Sequence, residues 1–274
     1  MNAKKRFREM FRNSKSSVLI SVHRGLWGPL PENSLAAIRK AVPYGIVEID
    51  IQLSSDGEPV VFHDDTLDRM TDHTGRVSEF TAKDISRIRL REGSGGSSKQ
   101  VTSETVPLFS ELLSDLPQGA FFDVDVKNPS ETAAVAQYLE QKSSTLSGSI
   151  KIDTSTKDEI SNLLALEDKS GLMGMAKVNL STADLCHIAD LRNAGIACAE
   201  LWFDDIDKLA EAYRVAGDQM KISTYTLDPV HCCGLSDTLA KSSPNQVWGK
   251  LIEAGVGVIM TDQARQLSDY LNTL

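Results

Sequence analysis

From about residue 120 onward the chain alternates between short β-branched runs and helical stretches, and this rhythm constrains the fold more than any other feature. Strand-like runs fall at 120–127, 148–153, 171–178, 196–202, 221–227 and 256–260. Helical stretches at 129–142, 155–166, 181–193, 205–215, about 246–254 and 263–272 follow them in turn. Two further strands lie upstream, at Ser17–Val22 and Ile46–Leu53. The first leads into LAAIRKAVPYG, with Asn33 or Ser34 as N-cap and Gly45 as stop; the second reaches its helix, 107–115, after a digression. Eight strands, each followed by a helix, is the count of an α/β (β/α)8 TIM barrel, and 274 residues suit it. An open doubly wound sheet would call for a Gly-rich phosphate loop after the first strand, and none follows Val22.

The digression runs from about 64 to 106: polar TDHTGRVSEFTAKDI, then GSGGSSKQ. It reads as a small subdomain inserted after strand two and ending in a flexible loop. A basic N-terminal segment, 1–16, carries Lys4, Lys5, Arg6, Arg8, Arg12 and Lys15 and reads as a solvated helix; 17–274 form the barrel domain. VLISV runs straight into His23, too short an apolar run for a signal peptide, and no stretch approaches the roughly 20 apolar residues of a membrane span. With 29 basic and 38 acidic residues the net charge is −9, which argues against a nucleic-acid partner. Cys186, Cys198, Cys232 and Cys233 show no C-x-x-C spacing and read as reduced thiols of a cytoplasmic protein. Stable membrane insertion is not expected, and association into a homo-oligomer is left open.

Chemistry-bearing residues cluster between Val22 and Arg69. His23 closes one apolar run, Glu48 and Asp50 interrupt a second (IVEIDIQL), and His63 closes a third (PVVFHDD). Side chains alternate along a strand, so Glu48 and Asp50 share one face while Ile49 and Ile51 share the other. Two neighbouring carboxylates repel unless a cation sits between them, and two nearby histidines can move protons around it. This is the residue set of metal-assisted hydrolysis. In a barrel such chemistry sits at the C-terminal strand ends. Strand three, FFDVDVKNP, turns Asp123, Asp125 and Lys127 inward, with Asp125 and Lys127 nearest the active end. Tyr225 on strand seven should face the same mouth, where its ring could stack on a polyol or sugar. Lys151, Glu200 and His231 are second-tier candidates, while His73 belongs to the insertion and His187 to a helix.

Over roughly residues 18–272 the chain resembles the glycerophosphodiester phosphodiesterase family. The matching pieces are HRG (23–25), PENS (31–34), VEIDIQLSSDGEPVVFHDDTLDRMTDHTG (47–75), VPLFSELL (106–113), DVK (125–127) and GVGVIMTD (255–262). Individually these are weak signals; in this order and spacing they are strong. The resemblance implies a barrel with an insertion after strand two, one divalent metal ion (Mg, Ca or Mn), and hydrolysis of a small-molecule phosphodiester to an alcohol and a phosphomonoester. It implies Glu48, Asp50 and Asp125 as metal ligands, His23 and His63 as the acid–base pair, and Arg24 and Lys127 as phosphate contacts.

Three departures bear on the substrate. Asp125-Val126-Lys127 stands where the family usually has Glu-x-Lys, and Tyr225-Thr226-Leu227-Asp228 where it tends to have Trp-Thr-x-Asn. A long connection, Pro229–Gln246, leaves strand seven and is expected to overhang the mouth. These changes leave the reaction alone but make a sugar phosphodiester, of the kind found in opines, an alternative substrate. A catalytically inactive barrel serving as a binding module is the reading from a different class.

Overall fold

The computed structural model describes residues 3–12, 18–115, 119–142 and 145–274. Its strands are β1 Leu19–Val22, β2 Ile46–Leu53, β3 Pro59–Val61, β4 Arg89–Arg91, β5 Val101–Thr105, β6 Phe121–Val126, β7 Gly148–Asp153, β8 Met173–Asn179, β9 Cys198–Trp202, β10 Lys221–Tyr225 and β11 Val256–Thr261. One sheet has the order β1-β11-β10-β9-β8-β7-β6-β2-β3, and β1 also pairs with β2. That closing pair makes the eight parallel strands a (β/α)8 barrel, with β3 added antiparallel to β2. Every strand expected from the sequence rhythm is present; β4 and β5, hidden in polar sequence, form a separate antiparallel pair.

The chain divides into two compact units, 23–146 and 1–22 with 147–274. In the first, β2 lies between β3 and β6, with Glu48 opposite Asp123 and Asp50 opposite Asp125. Ile46, Val47, Ile49 and Ile51 are buried, so both faces of β2 are covered and its carboxylates are there against a solvation cost. β3 and the segment after it build a small core from Val60, Phe62, Leu67, Met70, Val77, Ile85, Ile88, Leu90 and Val106. Its glycine-rich run is tied down by hydrogen bonds, contrary to the flexible loop its composition suggests. Gly96 N–H donates to the Arg69 carbonyl at 2.7 Å, and Gly95, at φ +73°, has no room for a Cβ beside that carbonyl and Met70 Sδ.

In the second unit, β7 through β11 and β1 are joined by parallel pairing. The N-terminal helix, Ala3–Arg12, departs from the solvated helix that its charge suggests. Phe7 and Phe11 are buried with ring centroids 4.9 Å apart, and Arg8 Nη1 donates to Glu167 Oε1 at 2.5 Å. The periodicity of two phenylalanines four apart outweighs the lysines and arginines on the other faces.

The long connection after β10 folds into a helix, Asp237–Ser242, whose first residue anchors it. The buried Asp237 carboxylate accepts hydrogen bonds from Thr226 Oγ1 and Thr261 Oγ1 at 2.5 Å each and from Asp262 N–H at 2.8 Å. Burial nonetheless dominates over these donors and pushes the Asp237 carboxyl up to about 6. A carboxyl raised above its unfolded value, about 3.9, binds a proton more tightly in the folded state. Its contribution to stability is therefore full below about pH 4 and lost as pH rises through about 6. Asp237→Asn should flatten that segment of the stability curve, as read by urea unfolding between about pH 4 and 7.

Candidate active site

The site residues of the first unit are brought together by backbone geometry after β1. Arg24 adopts φ 54° and Gly25 φ 83°, a left-handed turn that reverses the chain. A Cβ at Gly25 would lie 2.8 Å from Ala37 C and Ile38 N, so the helix Leu35–Ala41 packs directly on the glycine. That helix is capped by Ser34, whose hydroxyl accepts from Ala37 N–H at 3.2 Å. Asn33, the other capping candidate, is used elsewhere. Its Nδ2 donates to Asp50 Oδ2 at 2.7 Å, while Asp50 N–H donates to Asn33 Oδ1 at 3.3 Å.

Glu48, Asp50 and Asp125 form a single cluster, each offering a carboxylate oxygen within 4.8 Å of the others. Glu48 and Asp50 are only 2% and 1% exposed. Glu48 Oε2 accepts from the Arg24 backbone N–H at 3.0 Å. Asp50 is more heavily supported. Arg24 Nε lies 3.1 Å from its Oδ2, as a charge contact without hydrogen-bond alignment, and Lys127 Nζ lies 3.3 Å from its Oδ1. Burial favours the neutral acid, but Arg24, Lys127 and His63 overcome it and hold the Asp50 carboxyl below the usual carboxylate range. Lys127 also reaches Asp125 Oδ2 at 3.3 Å. Three carboxylates in one place, all hard oxygen donors and two of them deeply buried, suit a hard divalent cation.

His63 lies two residues beyond β3. Its Nδ1 lies 2.6 Å from Asp64 Oδ1, and Gln52 Nε2 donates to the carbonyls of both His63 and Asp64, the first at 3.0 Å. Burial opposes ionisation of Asp64, but hydrogen bonds from His63 and Arg69 prevail and hold its carboxyl well below the usual range. An ionised carboxylate only accepts, so Nδ1 carries a proton and donates to Asp64. His23, half-buried, directly follows β1.

Glu32, Asp64 and Arg69 join this site although no reading of the sequence singled them out. Glu32 of PENS, 2% exposed, accepts from Arg24 Nη1 at 2.9 Å and from Arg69 Nη2 at 2.7 Å. Their only signal was position inside the PENS and HDDTLDR pieces. In the other unit, Lys151 and Glu200 pair with each other at 3.2 Å, both buried. Tyr225, half-buried at the end of β10, has its hydroxyl pushed to a higher pKa by burial and by the nearby Cys232 and Glu200. His187 Nε2 lies 3.2 Å from Thr154 Oγ1, His73 is exposed beside Asp72, and His231 is exposed. All four cysteines are free.

β2 and β6 thus bring clustered carboxylates together with two cations, and the segment after β3 adds an imidazole oriented by Asp64. The chain is a member of the glycerophosphoryl diester phosphodiesterase family, whose model matches residues 23–265. Glycerophosphodiester phosphodiesterase 1 of Homo sapiens is 50% identical over 130 residues, covering 43% of this chain and 37% of that protein. The matched part of the chain spans about a third of the length of this relative and of its Mus musculus counterpart. Among solved structures, a glycerophosphoryl diester phosphodiesterase from Parabacteroides distasonis has a TM-score of 0.80 at 21% identity, covering 100% of this chain and 92% of its own. An Oleispira antarctica phosphodiesterase, solved with the product sn-glycerol-3-phosphate, has a TM-score of 0.66 at 22% identity, covering 93% and 97%. At these identities both support the fold. Among the described residues, no helix is long and apolar enough to cross a membrane.

Proposed function

We propose that this protein hydrolyses a small polar phosphodiester of the glycerophosphodiester type to an alcohol and a phosphomonoester. The observation that carries the reading is the Glu48–Asp50–Asp125 cluster flanked by Arg24 and Lys127, with His63 oriented by Asp64. Glu48, Asp50 and Asp125 would hold one divalent ion (Mg, Ca or Mn), which when bound would neutralise their charge and polarise phosphoryl oxygens. Arg24 and Lys127 would grip the phosphate, the first with a planar fork and the second as a point charge. His63, with Nδ1–H committed to Asp64, presents Nε2 as the acceptor of a proton from a substrate hydroxyl or water. His23 would return a proton to the departing alkoxide oxygen. Tyr225 would stack on the alcohol portion of the substrate.

Turnover of glycerophosphocholine, glycerophosphoethanolamine and a sugar phosphodiester, with added Mg, Mn or Ca and with EDTA as control, tests the reading through released alcohol. Metal-dependent release from the glycerol diesters is expected. Activity confined to the sugar diester would mean that Asp125, Tyr225 and the connection after β10 redirect the pocket. No release from any of the three, with metal still bound, would overturn hydrolysis in favour of a binding module.

A further inference from the structure

Arg69 occupies a place in the first unit that the reaction as proposed does not use. Its Nε donates to Asp64 Oδ2 at 2.6 Å and its Nη2 to Asp64 Oδ1 at 2.8 Å, a bidentate grip that fixes the plane of the carboxylate. The same Nη2 donates to Glu32 Oε1 at 2.7 Å, and that oxygen also takes Arg24 Nη1 at 2.9 Å. The third nitrogen, Nη1, donates to the Ser94 carbonyl at 2.5 Å. A continuous chain of charge-assisted contacts therefore runs His63–Asp64–Arg69–Glu32–Arg24, and Arg69 is its midpoint.

The glycine-rich run supplies the seat. Gly93 O accepts from Glu32 N–H at 2.9 Å, Ser94 O accepts from the Arg69 guanidinium, and Gly96 N–H donates to Arg69 O at 2.7 Å. These three hydrogen bonds hold Glu32 and Arg69 to one backbone segment. Like charges on Arg24 and Arg69 repel, and the shared, nearly inaccessible Glu32 oxygen compensates both. An arginine satisfies both carboxylates and the carbonyl together because its donors form a rigid fork; a lysine's single ammonium cannot span the same three acceptors in that plane.

We propose that Arg69 is a positioning residue that sets the two working ends of the site from one side chain. Through Asp64 it fixes the ring of His63, and through Glu32 it fixes the guanidinium of Arg24. This rests on the roles given above to His63 and Arg24, with all three Arg69 guanidinium nitrogens committed to protein acceptors. The two arms act on different steps. Loosening Asp64 leaves the imidazole free to rotate or change tautomer, which lowers kcat. Loosening Glu32 leaves Arg24 without its outer partner, which weakens phosphate binding and raises KM.

The test separates the arms. Asp64→Asn should lower kcat roughly 10–100-fold with KM little changed, the scale on which groups orienting a functional imidazole act. Glu32→Gln should raise KM several-fold with kcat little changed, and Arg69→Gln should do both. In a double-mutant cycle, Arg69→Gln added to Asp64→Asn should lower kcat no further, while the KM effect persists. Arg69→Lys, which keeps the charge, should fold without recovering kcat, and it carries the test if Arg69→Gln does not fold. A second readout needs no turnover: in resting protein with 15N-labelled histidine, the Nδ1 proton of His63 should give a protected downfield resonance. That resonance should vanish in Asp64→Asn and Arg69→Gln and survive in Glu32→Gln. Its loss supports the relay even if no diester is hydrolysed, which would overturn only the proposed function. Its persistence in Arg69→Gln, or an Arg69→Gln effect on kcat that simply adds to that of Asp64→Asn, overturns the relay even in an active enzyme.

Discussion

His63→Ala should lower kcat by roughly 10²–10⁴ while leaving metal affinity nearly intact. The ring is not part of the carboxylate cluster, and its Nδ1 is committed to Asp64 at 2.6 Å. Truncation therefore removes the proposed proton acceptor without removing an oxygen donor. The fold should survive, because His63 is half-buried and its backbone carbonyl, not its ring, is what Gln52 holds. His23→Ala should fall in the same range for the opposite reason, loss of the group proposed to protonate the leaving oxygen. A substrate with an activated leaving group separates the two, since it needs no proton at departure: it should restore much of the His23→Ala activity and little of that of His63→Ala. Steady-state kinetics with both substrates, beside calorimetric metal titration, makes the comparison. Near-full activity of either alanine variant on the unactivated diester would remove that histidine from the reaction.

Glu48→Gln should act first on the metal. The substitution keeps the side chain's length and its ability to accept from Arg24 N–H, now at 3.0 Å, but removes one negative charge from a buried triad. Metal affinity should fall by at least the roughly 10–100-fold that loss of a mere supporting group costs, and activity should return in part at high metal concentration. Asp50→Asn should behave differently. Asp50 also balances Arg24 and Lys127; leaving a buried charge unpaired costs on the order of 3–5 kcal/mol, and the cost here is smaller because Arg24 keeps Glu32 and Lys127 keeps Asp125. Its metal loss should therefore come with a lower midpoint of unfolding, whereas Glu48→Gln should leave stability nearly unchanged. Calorimetric titration with Mn or Ca beside urea unfolding resolves both effects. Unaltered metal affinity in Glu48→Gln would remove this residue from the ligand set.

Much of the architecture follows from local pattern. The β-branched runs around Ile46–Leu53, Gly148–Asp153 and Val256–Thr261 are strands because their apolar positions are buried, and parallel neighbours in the sheet need a crossover connection, which is usually a helix. Alternation along β2 already places Glu48 and Asp50 on one face. Where local pattern is weakest, composition misleads. The N-terminal helix looked solvated because its charges outnumber its phenylalanines, and GSGGSSKQ looked flexible because glycine's freedom and glycine's capacity for close approach have the same composition. Asn33 offered a capping side chain, but Ser34 took the cap and Asn33 turned to Asp50.

The sequence by itself therefore determined the strand–helix order, the carboxylates of β2 and the histidines at the ends of apolar runs, since each depends on periods of two or about four residues. The family resemblance already implies Asp125 beside Glu48 and Asp50, while the tertiary structure decided that Lys127 serves both aspartates. It also decided that Arg24 and Arg69, 45 positions apart, share one oxygen of Glu32. Hydrogen bonds and ion pairs act over about 3 Å in space, whatever the separation along the chain. A charged residue in a motif announces that it has a partner, and only the folded backbone selects which one.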